Sequence, residues 1–117
     1  SITDNSAEDQ GGGIYCTTSS FPQFNYITIT NNSASSGGGI FSTGSSQPIF
    51  SSSILWNNHP EGIISHSDSL YVTYSNIQGG WVGTNNINQD PFFCDPLNEN
   101  YYLAEKNVLT ITKKQLI

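Results

Sequence analysis

Nine carboxylates, two imidazoles and two thiols are the side chains of this 117-residue chain that could do acid–base, metal or nucleophilic chemistry. Cutting a glycosidic bond takes an acid and a base held on either side of it. Here Asp4, Glu8, Asp9, Glu61, Asp68, Asp90, Asp95, Glu99 and Glu105 are scattered, and only Glu8-Asp9 are adjacent, in a variable loop. Asp90 and Asp95 flank Pro91-Phe92-Phe93-Cys94 and could offer oxygens to calcium, but Asp-Pro more simply starts turns around an apolar plug. His59 precedes a proline and His66 lies among serines, neither with an acid–base partner at recognisable spacing. No Gly-x-Ser-x-Gly elbow activates any of the serines, and Asn31-Asn32-Ser33, formally a glycosylation acceptor, is also a turn. Cys16 and Cys94 supply neither a disulfide scaffold nor a zinc framework. No catalytic cluster, metal site or cofactor is therefore expected.

Charge narrows the partners further. Three Lys, no Arg and nine acids leave a net charge of −6, which argues against phosphate-backbone binding and so against nucleic acid. No run approaches the about 18 apolar residues of a membrane-spanning segment. Only 35% of residues are hydrophobic, yet charge is 10%, too low for a chain kept open by self-repulsion, and 12% are aromatic and available for packing. One modest domain fits the length.

The elements that must carry these residues are repeats. Asn5-Ser6-Ala7 followed by Gly11-Gly12-Gly13-Ile14-Tyr15-Cys16 returns as Asn32-Ser33-Ala34 and Gly37-Gly38-Gly39-Ile40-Phe41-Ser42, with a degraded third copy at Asn57-Asn58-His59-Pro60-Glu61-Gly62-Ile63. In the same frame Pro22 to Asn32 is repeated by Pro48 to Asn58 and, more faintly, by Leu70 to Gly80. Ile2, Ile29, Leu55 and Ile77 then fall in one column, and Phe24, Phe50 and Val72 in another. Each unit of about 22 to 27 residues holds short β-branched runs, such as Tyr26 to Thr30, between turns, and cannot bury its own apolar face. Stacking the units in parallel does, since each backbone pairs with the coil above and each Ile sits on the next. The expected fold is all-β, a right-handed parallel β-helix solenoid of about three to four coils with an irregular C-terminal cap. Coils are expected at 1–21, 22–47, 48–69 and 70–80, an aromatic cap at 81–104 and a strand-like or unordered tail at 105–117. Asn5, Asn32 and Asn58 should form a turn ladder, with Asn tolerating left-handed angles, and the triple glycines tight corners.

An apolar residue, two others and Asn, then Ser-Ala and Gly-Gly-Gly-Ile, resembles the repeat of right-handed parallel β-helix proteins of the pectin-lyase-like class. It is similar also to the Phe-x-x-Asn and Gly-Gly-Ala-Ile repeats of chlamydial polymorphic outer-membrane proteins, with Ile or Leu here for Phe and Gly for Ala. The stretch from Tyr74 to Trp81, with Asn88 to Pro96 and Tyr101-Tyr102-Leu103, resembles the C-terminal end of secreted bacterial β-helix proteins. The resemblance implies a secreted or cell-surface location, and either a non-catalytic, adhesin-like segment or a carbohydrate-active one. Lyases of this fold need calcium-binding carboxylates and a basic residue beside a uronate, and this chain has no Arg and Lys only at 106, 113 and 114. Because it opens at Ile2, already in a strand column, the chain reads as a fragment or truncated product whose neighbours are further coils of a longer parent chain.

Alternation assigns an outer face. With Ile27 and Ile29 inward, Tyr26, Thr28 and Thr30 point out, joined by Ser52, Ile54 and Trp56 and by Tyr74, Asn76 and Gln78. Tyr26, Trp56, Tyr74 and Trp81 are thus the candidate residues for stacking on a polysaccharide or cell-surface glycan. The alternative is that residues 92–102 dock over the two tryptophans. Cys16, two residues after Ile14, should face the interior in the column of Ser42 and Ser65. Cys94, about three coils on, would lie about 14 Å away, so two free, buried thiols are expected.

Overall fold

The computed structural model describes residues 1–66, 69–98 and 100–103. Strands of two to four residues alternate with turns, because the short β-branched and aromatic runs are interrupted by turns rich in Gly, Asn, Ser and Pro. Their parallel pairing makes three sheets wound around one core. The first contains β1 (Ile2–Thr3), β4 (Thr28–Thr30), β7 (Ile54–Trp56) and β10 (Asn76–Ile77) in that order. The second stacks β2 (Ile14–Cys16), β5 (Ile40–Ser42) and β8 (Ile63–Ser65), and the third β3 (Gln23–Asn25), β6 (Ile49–Ser51) and β9 (Tyr71–Thr73). No helix among the described residues is long and apolar enough to cross a membrane.

The register confirms the columns read from the repeats. Ile2 pairs with Ile29, Ile29 with Leu55 and Leu55 with Ile77, and Phe24, Phe50 and Val72 form the matching row in the third sheet. Ile14, Ile40 and Ile63 are the third column. Ile29, Ile40, Phe50, Leu55, Val72 and Ile77 are buried in one cluster, with Phe24 stacked on Phe50 at 4.6 Å. Few apolar residues suffice because each one covers the next along the axis.

The asparagine ladder forms, although its angles are distributed differently from expectation. Asn32 Oδ1 accepts from the backbone and side-chain N–H of Asn5, both at 3.0 Å, and Asn58 Oδ1 accepts from the same two groups of Asn32 at 3.1 Å. The left-handed residue at this corner is instead the preceding one, Asp4, Asn31 and Asn57, with φ of 59°, 56° and 54°. A turn residue must reverse the chain before the carboxamide can point inward, so the two tasks fall on neighbouring positions.

The same device interrupts the run Tyr26 to Thr30, read as one alternating strand. Tyr26, Ser52 and Tyr74 have φ of 58°, 53° and 52°, making a second corner between the third sheet and the first. Alternation therefore holds only within each three-residue strand. After Gly80 the chain makes a shortened circuit and rejoins the first sheet: Asn85 is again left-handed at 56°, Asn86 Oδ1 accepts from Ser75 N–H, and Ile87 bridges Asn76 in parallel.

β11 (Phe93–Asp95) and β12 (Asn100–Leu103) then pair antiparallel as a hairpin, with a 3₁₀ turn at Pro96–Asn98 after β11. Its Tyr101 hydroxyl accepts from Asn31 Nδ2 at 2.7 Å and donates to the Asp4 carboxylate at 3.0 Å. The hairpin thus ties the far end of the chain to the corner of the first two coils. The outward direction read for Thr30 does not leave it exposed. Its neighbour Ile29 fills the core, so Thr30 lies on the opposite face, yet it is fully buried beside the residue that Tyr101 binds. The tail expectation for 105–117 lies outside the described residues.

The thiols divide. Cys16 is buried above Ser42 as expected, while Cys94 is exposed on β11, because the hairpin lies outside the stack. Desolvation raises the Cys16 pKa, which lowers its thiolate fraction at any given pH. Titration of the native protein with an aromatic disulfide should modify Cys94 rapidly and Cys16 only after denaturant is added. Equal rates for both would contradict this burial.

Candidate functional site

The four aromatic candidates are held by different parts of the coil. Tyr26 and Tyr74 occupy the left-handed corner, two coils apart with Ser52 between them, and are 86% and 58% exposed. One strand spacing per coil puts their backbones about 10 Å apart. Trp56 stands at the opposite end of β7, in register with Thr30, and is half-buried. Trp81 follows the last strand of the first sheet and packs against the core cluster. The structure therefore brings Tyr26 and Tyr74 to one corner and does not join them to the tryptophans in one flat patch. A left-handed residue turns its side chain out of the sheet's alternation, so Tyr26 and Tyr74 project from an edge.

Trp81 belongs to a cleft of about 600 Å³ at the C-terminal end of the stack, lined also by Asn57, Asn58, His59, Glu61 and Gln78. The cleft exists because the second sheet stops at β8 while the first continues to β10. Column by column, this end differs from the coils above. Where Ala7 N–H donates to Ser33 and Ala34 N–H to His59, the next position is Pro60, which has no N–H to offer. Where Gly12 and Gly38 lie against the following coil, the next position is Glu61, beyond which the second sheet has no further strand among the described residues. Where Asn5, Asn32 and Asn58 form the ladder, the register puts Gly80 next, with open space where its side chain would be.

Three of the described carboxylates accept hydrogen bonds from neighbouring turns and coils. Glu61 Oε2 accepts from Gly37 N–H at 2.9 Å, Asp90 Oδ1 from Phe92 N–H at 2.8 Å, and Asp95 Oδ2 from Asn98 Nδ2 at 2.8 Å. The Asp90 bond closes the turn that Asp-Pro was expected to start. His66 sets its ring edgewise on Phe41 at 4.9 Å, and Phe41 in turn stacks on Tyr15. No group of three or more His, Cys, Asp or Glu that could hold a metal occurs among the described residues.

Parallel three-residue strands, in-register apolar columns and an asparagine ladder together define the coil, and a family model described as the right-handed β-helix region matches residues 1–80. The chain belongs to the right-handed β-helix family. No curated protein and no solved structure matches it. Membership establishes how the β-helix winds and leaves its surface chemistry to its own residues. Of the cleft, Trp81 was the residue singled out by its type. His59, Glu61 and Gln78 were missed as a group, although the degraded third repeat, with Pro60 and Glu61 in place of repeat residues, is the signal that marks the end of the stack.

Proposed function

We propose that this β-helix is a non-catalytic, adhesin-like structural segment of a secreted or cell-surface protein, with further β-helix coils of a longer parent chain as its neighbours. The observation that supports this reading is the employment of the polar residues the repeats share. Asn5, Asn32, Asn58, Ser53 and Ser75 bond from coil to coil, and so build the rod. A chain with no Arg and a Ser-, Thr- and Asn-rich exterior also suits an extracellular surface. The test joins protease shaving of whole cells with assay of the purified chain on pectins, glucans and chitin, following reducing ends and unsaturated uronides. Release of the segment without products is the expected result. Turnover that disappears in Glu61→Gln or Asp90→Asn would overturn the non-catalytic reading.

A carbohydrate-active segment is the second reading, and it is favoured by two features. The exposed Tyr26 and Tyr74 form one column, and Trp81 shares a polar cleft with three amide residues, Asn57, Asn58 and Gln78.

A further inference from the structure

The asparagine ladder ends in a pair of unused donors. In the first coil the backbone N–H and side-chain Nδ2 of Asn5 both donate to Asn32 Oδ1, and in the second the same atoms of Asn32 both donate to Asn58 Oδ1. Asn32 Nδ2 gives its other proton back to the Ile2 carbonyl at 2.9 Å, and Asn58 Nδ2 repeats that bond to the Ile29 carbonyl at 2.9 Å. By the translation that relates the coils, the Asn58 backbone N–H and the second Nδ2 proton point along the axis to where a fourth carboxamide oxygen would sit. The register places Gly80 there, without a side chain, and Asn58, which is only 8% exposed, lines the cleft that results. A pair of donors facing a cleft with a defined target position is a ready-made place for a carbonyl oxygen.

We infer that this cleft binds the acetamido group of an N-acetylated hexosamine, with the acetamido carbonyl oxygen in the place of the missing asparagine oxygen. The inference rests on the carbohydrate reading above and names the sugar. An acetamido group has the carboxamide's planar carbonyl, so it presents one oxygen to both donors as the ladder's own side chains do. Trp81 offers an indole to the acetamido methyl and the apolar face of the ring. Gln78 and Glu61 supply polar groups for ring hydroxyls at the cleft wall. A uronate is disfavoured, because the Glu61 carboxylate is part of the lining, the chain has no Arg, and no Lys occurs among the described residues.

Nuclear magnetic resonance titration of the whole chain tests this with four probes: N-acetylglucosamine, acetamide, glucose and galacturonate. Saturable shifts of the Asn58 backbone and side-chain amides and of the Trp81 indole are expected with N-acetylglucosamine, weaker ones with acetamide, and none with the other two. Trp81→Ala should weaken N-acetylglucosamine binding about tenfold. Should that variant unfold, the four titrations of the unaltered chain decide the matter alone. Equal shifts with glucose or galacturonate would overturn the acetamido selectivity and leave the carbohydrate reading standing. Shifts centred on Tyr26 and Tyr74 would do the same by placing the sugar on the corner. A response to acetamide without one to N-acetylglucosamine would assign the site to a protein amide instead. Silence with every probe, and with the polysaccharides, would end both readings.

Discussion

Substituting Asn32 with leucine is expected to destabilise the fold by roughly 3 kcal/mol, whereas Asn5→Leu should cost under about 1 kcal/mol. The two residues hold equivalent places in the repeat and differ in what lies above them. Asn32 is fully buried, and its side chain makes four bonds: two accepted from Asn5, one given to the Ile2 carbonyl and one to Asn58 Oδ1. Leucine keeps the branched outline, at a somewhat larger volume, and removes all four. Asn58 Oδ1 then retains only the Asn32 backbone N–H, inside the stack where water cannot replace the lost donor. Asn5 is exposed at the first coil, so water takes over its partners. Urea denaturation of the two variants and the parent measures both values. Equal costs at the two positions would show that the ladder contributes through turn geometry alone.

The second large effect is steric. A methyl group at Gly38 would lie inside van der Waals contact with the His59 carbonyl oxygen, carbonyl carbon and amide nitrogen, all backbone atoms of the next coil. Gly38→Ala can be accommodated only by separating the second and third coils, which breaks the Ala34 to His59 and Ile40 to Gly62 hydrogen bonds along that edge. The expected loss is roughly 3 kcal/mol or more, a large part of the stability of a domain this size. Gly62→Ala is the matched control. Among the described residues nothing lies within 4 Å of a methyl there and no strand follows β8 in the second sheet, so its effect should stay within about 0.5 kcal/mol. Thermal unfolding followed by circular dichroism separates the two, and a comparable drop in Gly62→Ala would mean that the third coil is covered after all.

Much of this architecture was legible before any coordinates. Two of the three apolar columns, the carboxamide ladder and the inward Cys16 follow from aligning the repeats, since a solenoid writes each three-dimensional neighbour one period away in the chain. Legibility failed where the contact is not periodic. Tyr101 reaches Asp4 across 97 residues, and no repeat announces that pairing, so the burial of Thr30 and the exposure of Cys94 could not be anticipated. It failed also where a corner interrupts a strand. The alternation from Tyr26 to Thr30 looks continuous on paper, but the left-handed Tyr26 resets it, and the aromatic face inferred from that alternation separates into a corner pair and an end cleft.

By itself, then, the sequence determined the coil: its period, its core columns, its parallel pairing and the corner where the asparagines stack. Those properties are translationally repeated, and a period of 26 or 27 residues between the first three copies records them directly. Tertiary structure alone decided the ends. Whether a donor such as the Asn58 N–H meets a partner, whether a column position admits Glu61 in place of glycine, and which surface the returning hairpin covers all depend on what lies beyond the last coil. The degraded third repeat marks where the second sheet stops, but not what then meets the exposed groups, because an end is defined by the neighbour it lacks.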